Sequence, residues 1–222
     1  MAHLTVHYHE LSLKRGNRKR FENVLRRNIR RALHDLGPCR IAPAAGRLLV
    51  ETEGDADEAV DRLCRVAGVA YVLRVRRLPR DLDKVGEAIA ADLKTRPDVG
   101  NFRITARRVD KSFPLISQEI DRDVGAVVNR ETGLPVRLKG ADAEVHVTVM
   151  DDEILVGFDK RQGPGGLPAG TGGRVAVLLS GGFDSPVAAW RVINRGCRAD
   201  LIHFHSHPLV DKTTQEKARD LA

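Results

Sequence analysis

The stretch from Ser180 to Ser185, with glycines at 181 and 182, has the residue types and spacing of a phosphate-binding turn. It follows an apolar run over 175–179, which predicts a buried strand, and it leads into a helical run. A turn between a strand and a helix amino-terminus offers free backbone N–H groups and the positive end of the helix dipole to an anion. The glycines let the main chain approach a phosphate closely, and the two serine hydroxyls can donate to its oxygens. The pattern is not a Walker loop, because no lysine follows and the spacing is too short. A simple tight turn in an α/β unit is the alternative.

The first elements of the chain are predicted to form a small α+β unit. In the first 75 residues the order is β-α-β-α-β, which fits a small ferredoxin-like unit. Its first strand alternates apolar and polar residues, so His3, His7 and His9 are expected to face solvent. The predicted elements are a strand over 4–8, a helix over 17–36, a strand at 47–51, a helix over 55–65 and a strand over 69–75.

The middle and the end of the chain continue with helix and strand patterns. A segment at 163–173 holds six glycines and two prolines in eleven positions, which predicts either a linker or a loop that closes over something. Strands at 175–179 and 199–204 flank the glycine turn and its helix, as in a parallel β-α-β unit. The other predicted elements are a helix over 82–93, a strand over 102–107 with two arginines on one face, a helix over 117–130 and hairpin strands over 145–149 and 153–158.

Positive charge is concentrated at the front of the chain. Ten of the 37 Lys/Arg but only three of the 30 Asp/Glu fall within residues 1–40, so this segment accounts for the whole formal net charge of +7. The apolar stripe of the helix predicted over 17–36 leaves the arginines mostly off that stripe. Such focusing favours a polyanion partner whose binding weakens as salt rises, and a solvated helix face is the alternative.

Composition limits the class of protein. A hydrophobic content of 42% over 222 residues supports real cores and excludes a disordered chain, and no run of about 18 apolar residues is present to span a membrane. Polar residues arrive too early at the amino-terminus for a signal peptide. Cys39, Cys64 and Cys197 have no close spacing, which argues against a disulfide framework and against a zinc site. These features predict a soluble, cytoplasmic protein with no membrane partner.

The S-G-G-F-D-S turn at 180–185 resembles the PP-loop of ATP pyrophosphatases, which cut ATP between its alpha and beta phosphates and so make adenylates. An ordered set of further motifs resembles the tRNA 4-thiouridine synthetase (tRNA sulfurtransferase) family over nearly the whole length. These motifs are E-L-S-L-K at 10–14, N-R-K-R-F at 17–21, R-R-V-D-K-S-F-P at 107–114, G-G-L-P-A-G at 165–170, the turn with its flanks at 178–188 and H-F-H-S at 203–206.

The resemblance implies an α+β fold followed by α/β. An amino-terminal ferredoxin-like domain would occupy 1–56, a THUMP RNA-binding domain 57–161, a Gly/Pro-rich linker 162–171, and the first part of a PP-loop (adenine nucleotide alpha hydrolase-like) parallel-sheet domain 172–222. The implied activity has two steps: ATP adenylates the O4 of a uridine in tRNA, and persulfide sulfur from a carrier then displaces AMP to give 4-thiouridine. ATP and Mg²⁺ are the implied cofactors. The implied partners are tRNA, a persulfide donor such as a cysteine desulfurase, and a sulfur-carrier protein of thiamine thiazole synthesis.

For the nucleotide, the pyrophosphate is expected on the PP-loop, and the adenine beside the carboxyl ends of the two parallel strands. Asp184 is the candidate catalytic residue, and it is better suited to holding Mg²⁺ or orienting the loop than to touching phosphate. The predicted nucleotide-binding residues are Leu178, Leu179, Ser180, Gly181, Gly182, Asp184, Ser185, His203 and Phe204.

For the tRNA, basic side chains of both amino-terminal units are expected to make phosphate and shape contacts with a structured RNA. The predicted RNA-binding residues are Lys14, Arg15, Arg18, Lys19, Arg26, Arg27 and Arg30 in the first unit, and Arg103, Arg107, Arg108, Lys111, Arg137 and Lys139 in the THUMP-like segment.

The chain departs from the family pattern after the PP-loop. It offers two strands of a larger parallel sheet, it ends within the next helix, and the family's downstream sulfur-relay cysteine has no counterpart, since Cys197 reads as a small buried residue. A truncated gene product, a fragment and one half of a split enzyme all stay open. Two other functions are alternatives: a non-catalytic tRNA-binding fragment with a vestigial PP-loop, and another PP-loop ligase, which the basic front domain disfavours. A metal on His203, His205 and His207 would lack an evident fourth ligand, so no metal site is predicted.

Overall fold

The computed structural model describes residues 1–10, 15–205 and 213–222. Within these ranges, seven strands form one mixed sheet in the order β2-β3-β1-β4-β7-β6-β5, and two further strands form a parallel pair, β8-β9. The elements are β1 (Ala2–His7), a 3-10 turn (Arg15–Asn17), α1 (Arg18–Ala32), β2 (Cys39–Ala44), β3 (Arg47–Thr52), α2 (Ala56–Leu63), β4 (Tyr71–Leu78), α3 (Leu82–Lys94), β5 (Phe102–Arg108), α4 (Ser117–Thr132), β6 (Ala143–Val149), β7 (Ile154–Gln162), β8 (Arg174–Leu178), α5 (Asp184–Asn194), β9 (Arg198–Ile202) and α6 (Thr213–Asp220).

The amino-terminal unit contains the predicted elements and one additional strand. Strand β1 lies between β3 and β4 and is antiparallel to both, while α1 and α2 cover the face that carries Leu4 and Val6. The strand β2 was not predicted, since its sequence does not alternate cleanly and contains Pro43. A proline is tolerated there because β2 is at the edge of the sheet, where one side of the strand makes no ladder bonds. Helix α1 ends at Ala32, four residues before the predicted end.

The second unit continues the same sheet. Strand β4 pairs with β1 on one side and with β7 on the other, β7 pairs with β6, and β6 runs parallel to β5. Helices α3 and α4 bury Val85, Ile89 and Ile120 against the face that carries Val145 and Val147. The strand registers place α1 to α4 on one face of the sheet. The sheet is therefore continuous across the predicted boundary between 56 and 57, and the domain boundaries stay a prediction.

The opposite face of the sheet is concave, and it buries residues that were expected in solvent. Arg47 on β3 donates a 3.1 Å hydrogen bond to Thr148 on β6, although β1, β4 and β7 lie between these strands in the sheet. The sheet must therefore curl strongly for the two side chains to meet. The curl leaves Thr5 and His7 only 1% and 6% exposed, so the prediction that His7 faces solvent is wrong. The alternation in β1 is real, but the central strand of a curled sheet is buried on both faces.

The glycine-rich segment at 163–173, called here the docked segment, packs against both halves of the molecule. Its Leu167 is 8% exposed and belongs to the amino-terminal core. The side chain of Asn28 on α1 donates a 3.0 Å hydrogen bond to the carbonyl of Ala169. On its other side, the N–H of Leu167 donates to the carbonyl of Asn194 at the end of α5 (2.8 Å). The segment therefore joins the basic front unit to β8, α5 and β9 through specific contacts.

The β8-β9 pair and its helix are thinly covered. Strand β8 leads through residues 179–183 into α5, and α5 returns to β9, which is the predicted parallel β-α-β arrangement. Large apolar side chains of this part stay in contact with solvent, among them Trp190 on α5 and Ile202 on β9. None of the helices in the described ranges combines the length and apolar content needed to cross a bilayer.

Candidate functional site

The turn between β8 and α5 is held together by its two serines. The Ser180 N–H donates to Ser185 Oγ (2.9 Å), and the two hydroxyl oxygens lie 3.0 Å apart. The Gly182 N–H donates to Ser180 Oγ (3.3 Å). These bonds fold residues 180–185 into a compact loop directly at the amino-terminal end of α5. The first N–H groups of any helix lack intrahelical acceptors, and a helix start of this kind is the arrangement that anion sites use.

Open space faces this loop. A Cβ atom built on Gly181 would have no neighbour within 4 Å, and one built on Gly182 would meet only Ser180 Oγ at 3.6 Å. The Phe183 side chain is 88% exposed and does not fold back over the turn. A side chain at either glycine would therefore intrude into the space where a ligand would lie, rather than into the protein.

A cavity of about 350 Å³ adjoins the turn. This volume is within the range of small-molecule sites, roughly 300–1,000 Å³. Of the predicted nucleotide-binding residues, Gly182, Asp184 and Ser185 lie just beyond it, in the turn and the first turn of α5. The residues that line the cavity are Leu178, Leu179, Ser180, Gly181, Ile202, His203, Phe204, His205 and Thr214. Ile202, His205 and Thr214 were not among the predicted nucleotide-binding residues. The parallel register of β8 and β9 could have indicated Ile202, which lies opposite Leu178, whereas Thr214 comes from a helix with no local signal.

His203 joins the two sides of this cavity. Its Nδ1 lies 2.8 Å from the carbonyl oxygen of Leu179, so Nδ1 carries a proton in this contact, and Nε2 is the acceptor of the neutral ring. The Nε2 atom is buried and has no hydrogen-bond partner among the described residues. Buried polar atoms are rarely left unpaired, so Nε2 is available to a donor group of a bound molecule. The role of His203 in fixing the strand ends also explains its position without a metal.

A resident metal cluster is not found in the described ranges. No group of three or more His, Cys, Asp or Glu side chains there is placed to hold a metal ion. His207 lies outside the described residues. Asp184 is an exposed carboxylate in the first turn of α5, beside the serine hydroxyls. One carboxylate with hydroxyls and water fits Mg²⁺ that is carried mainly by a substrate's phosphates, rather than an all-protein metal site.

The three cysteines have the surroundings of structural residues. All three are free thiols of intermediate exposure. Burial raises the pKa of the Cys39 thiol and that of the Cys64 thiol, which disfavours the reactive thiolate. Cys197 Sγ lies 3.5 Å from the carbonyl oxygen of Gly172 in the docked segment, a contact that a small packed thiol makes.

The predicted RNA-binding residues of the first unit separate into free and engaged side chains. Lys19, Arg27 and Arg30 of α1 are exposed. Arg18 is paired with Glu22 at 2.8 Å, and Arg26 donates to the carbonyl of Ile41 at 3.1 Å. Lys14 and the side chain of Arg15 lie outside the described residues.

In the second unit the predicted residues fall in two places. Arg103 and Arg107 lie on the concave face of β5, as the alternation predicted, and Arg107 is exposed. Arg108 points to the helix-covered face and donates to the carbonyl of Phe113 at 3.1 Å, so it is engaged in the fold. The other predicted RNA-binding residues of this unit, which lie outside β5, are also exposed: Lys111, Arg137 and Lys139. Sequence reasoning missed Arg47 and Lys160, which share the concave face with Arg107.

Comparison with protein-family models gives three consecutive matches. Residues 3–72 match the ThiI ferredoxin-like domain, residues 80–159 match the THUMP domain, and residues 170–222 match the model described as thiamine biosynthesis protein (ThiI). A probable tRNA sulfurtransferase of Thermus thermophilus is 45% identical over 97% of this chain, which covers 53% of that protein. One from Moorella thermoacetica is 38% identical over 98% of the chain, which covers 56% of that protein. The chain thus spans about half the length of the curated relatives it matches.

Two solved structures have the same fold over the whole chain. PH1313 from Pyrococcus horikoshii is 30% identical with a TM-score of 0.84, and this chain covers 74% of it. A 4-thiouridine synthetase solved in complex with RNA and with bound ATP is 31% identical with a TM-score of 0.82, and the chain covers 57% of it. The ordered domains, the glycine–serine turn at the start of α5 and the agreement with both structures lead to one assignment: the chain belongs to the tRNA sulfurtransferase (ThiI) family.

Proposed function

We propose that this chain carries the RNA-binding part and the phosphate loop of an ATP-dependent tRNA uracil 4-sulfurtransferase. The observation that supports this most is the loop at 180–185, held at the end of α5 beside an open cavity of about 350 Å³. A family relative solved with both RNA and ATP supports the same pair of ligands.

In the first step the uridine O4 attacks the alpha phosphorus of ATP, a new O–P bond forms, and the bond to the beta phosphate breaks. The leaving pyrophosphate gains negative charge, and preorganised N–H and O–H donors stabilise that charge. We place it on Ser180, Gly181, Gly182 and Ser185. In the structure described here the Ser180 and Gly182 N–H groups donate to serine oxygens within the loop, so bonds to the pyrophosphate would replace these internal bonds.

We place the adenine in the cavity between the ends of β8 and β9, beside Leu178, Leu179, His203 and Phe204. Ligands of parallel sheets commonly bind at the carboxyl ends of the strands. The unpaired Nε2 of His203 is an acceptor there, which fits an exocyclic amino group. Mg²⁺, held by Asp184 and the phosphates, would supply charge neutralisation at the breaking P–O bond.

In the second step the terminal sulfur of a persulfide attacks C4 of the adenylated uridine, a C–S bond forms, and AMP leaves with O4. A second thiol of the donor then attacks the inner sulfur, so that the S–S bond breaks, a donor disulfide forms and 4-thiouridine is released. Burial disfavours the thiolates of Cys39 and Cys64, and Cys197 Sγ contacts the Gly172 carbonyl oxygen. We therefore propose that the sulfur arrives from a separate persulfide donor, such as a cysteine desulfurase, or through a part of the longer relatives that this chain does not span. Delivery of sulfur to a carrier protein of thiamine synthesis belongs to the same proposal.

Calorimetric titration of the chain with ATP and Mg²⁺ tests the proposed nucleotide binding. Binding should be saturable and should fall about tenfold or more in Ser185→Ala, because that change removes a hydroxyl donor and the acceptor that holds the Ser180 N–H. Ser117→Ala, at the start of α4, is the matched control and should bind ATP as the parent does.

A second candidate function is a non-catalytic RNA-binding protein with a vestigial loop. The exposure of Trp190 on α5 and Ile202 on β9 favours it, since a thinly covered strand pair holds a nucleotide less firmly. If the parent chain binds RNA but does not bind ATP, the result supports this candidate and contradicts the first.

A further inference from the structure

The guanidinium of Arg47 is a buried charge with an unused hydrogen-bonding edge. The side chain is 2% exposed. Its Nη1 donates to Thr148 Oγ1, whereas Nε and Nη2 are buried and have no partner in the described ranges. Buried charges are costly unless they are paired and hydrogen-bonded, so a guanidinium in this state calls for an anion.

The two unused atoms are the ones that bind anions best. In arginine, the Nε–H and Nη2–H bonds point to the same side of the planar group and form a two-pronged donor. This edge matches two oxygens of one phosphate or carboxylate. Thr148 occupies the other end of the guanidinium and so fixes which way the free edge points.

More positive charge surrounds this edge on the concave face. Arg47, His7 and Tyr71 are in register across β3, β1 and β4, and Lys160 lies over the Tyr71 ring at 4.6 Å. Arg107 on β5 stands opposite Thr148 and is exposed. Within the described ranges, none of the three cations forms an ion pair with a carboxylate.

The field at this place is correspondingly positive. Burial, followed by the charges of Arg47, Arg107 and Lys160, lowers the pKa of His7 to about 3. Burial and then Arg107 also lower the pKa of Arg47 itself.

Acidic side chains on the same face are engaged elsewhere. Glu144 accepts a hydrogen bond from Thr105 and lies 4.0 Å from His146 Nε2. At the other end of the strands, Arg77 is paired with Glu51 at 2.8 Å and with Glu153 at 2.6 Å. Among the residues that the structure describes, the charge around Arg47 is thus left uncompensated, whereas Glu51 and Glu153 compensate the charge of Arg77.

We propose that the concave face holds one phosphate group, gripped by the Nε–Nη2 edge of Arg47 and closed over by Arg107 and Lys160. A phosphate fits this arrangement, because two of its oxygens pair with the Arg47 edge and the remaining lone pairs of those oxygens stay available to the two rim cations. The phosphate is a backbone phosphate of RNA, which rests on the proposed function, or that of a free phosphate compound. Since Arg47 is buried, the group enters from the concave side, where the rim side chains are exposed and can move aside.

Thermal unfolding with inorganic phosphate as the probe tests the site. Parent chain, Arg47→Met and Arg77→Met are compared in phosphate and in chloride at equal ionic strength. The unfolding midpoint of the parent and of Arg77→Met should rise with phosphate, since a ligand that binds only the folded state stabilises it, and that of Arg47→Met should not. A parent that does not respond, or a response that survives unchanged in Arg47→Met, overturns the site.

If Arg47→Met does not fold, the exposed rim provides the same test. Arg107→Gln and Lys160→Gln should each weaken phosphate binding about three- to tenfold, while the fold is kept. Unchanged affinity in both rim variants also overturns the site.

A second arm identifies the source of the phosphate. The affinity for an RNA hairpin is measured over a range of salt concentrations for the parent, Arg47→Met and Arg77→Met. Loss of one RNA phosphate contact should lower the slope of log affinity against log salt by about 0.7–0.9 in Arg47→Met and leave Arg77→Met unchanged. A lost phosphate response with an unchanged RNA slope assigns the site to a free phosphate compound. The ATP titration of Ser185→Ala reports on the loop at 180–185 alone, so failure of the proposed function is distinguishable from failure of this site.

Discussion

Burial of His7 should make the stability of this protein fall in mildly acidic solution. The ring stacks on Tyr71 with centroids 4.1 Å apart, and its Nε2 lies 3.3 Å from Thr5 Oγ1. Burial first, and then the charge of Arg47, lowers the pKa of His7 from 6.5 to about 3. The neutral ring is therefore the folded form at every pH well above that value.

The sign and size of the effect follow from the two pKa values. In the unfolded chain His7 returns to a pKa near 6.5 and takes up a proton as the pH falls, whereas the folded chain does not until about pH 3. Stability is thus fully present above the unfolded pKa and is lost as the pH falls below it. Between about pH 7.5 and pH 5 the loss attributable to this one group is about 2 kcal/mol.

Urea unfolding of the parent and of His7→Gln at these two pH values measures the effect. Glutamine keeps a polar side chain of similar reach but cannot titrate, so the parent should lose about 2 kcal/mol more than the variant on acidification. His34→Gln, which changes an exposed histidine, is the control and should behave as the parent does. The measurements are made without phosphate, because an anion beside Arg47 would raise the pKa of His7. Equal losses in the parent and in His7→Gln would refute the assignment of a buried neutral ring.

Three further outcomes are expected from the structure. Leu167→Ala should lower the free energy of unfolding by about 2–3 kcal/mol, because it leaves a cavity in the amino-terminal core, and denaturant titration should show no comparable change in the exposed control Leu138→Ala. Arg27→Gln and Arg30→Gln should each lower the log–log salt slope of RNA binding by about 0.7–0.9, whereas Arg26→Gln, whose guanidinium is bound to the Ile41 carbonyl, should change it less. Gly166→Ala should destabilise the chain by more than about 1 kcal/mol in thermal unfolding, because the glycine has a φ of 70° and an added Cβ would meet the Asn194 carbonyl. Gly140→Ala is the control: Gly140 has a similar φ of 63° but open space around it, so this variant measures the backbone part of the cost alone.

The place of the loop at 180–185 between a strand and a helix could be predicted from the sequence because its information is local. Two serines, two glycines and the adjoining strand and helix patterns occupy a short stretch, and the structure has the loop at the start of α5 as predicted. The helices of the first two units were likewise found from their own apolar spacing. The resemblance to the family, drawn from ordered motifs, is confirmed by the three domain matches.

The concave face could not be predicted, because it depends on contacts between residues that are distant in sequence. Arg47 and Thr148 are 101 positions apart and meet only when the sheet curls. The same curl buries His7, whose pattern in β1 is that of a surface strand. A period-two pattern shows that two faces of a strand differ, but it does not show that both are covered. The placement of Lys160 beside Tyr71 depends further on an irregular register between β4 and β7.

The packing of Leu167 and Ala169 against the amino-terminal unit bears on which nucleotide of a bound RNA could reach the loop at 180–185. A flexible linker would allow many distances between the amino-terminal unit and the β8-α5-β9 part. The position of a bound RNA relative to the loop would then vary. Here Asn28 and Asn194 form hydrogen bonds with the docked segment from opposite sides. The distance between the basic helix α1 and the loop at 180–185 is therefore fixed. A nucleotide would then be selected by its distance from the RNA backbone bound at α1 as much as by the identity of its base.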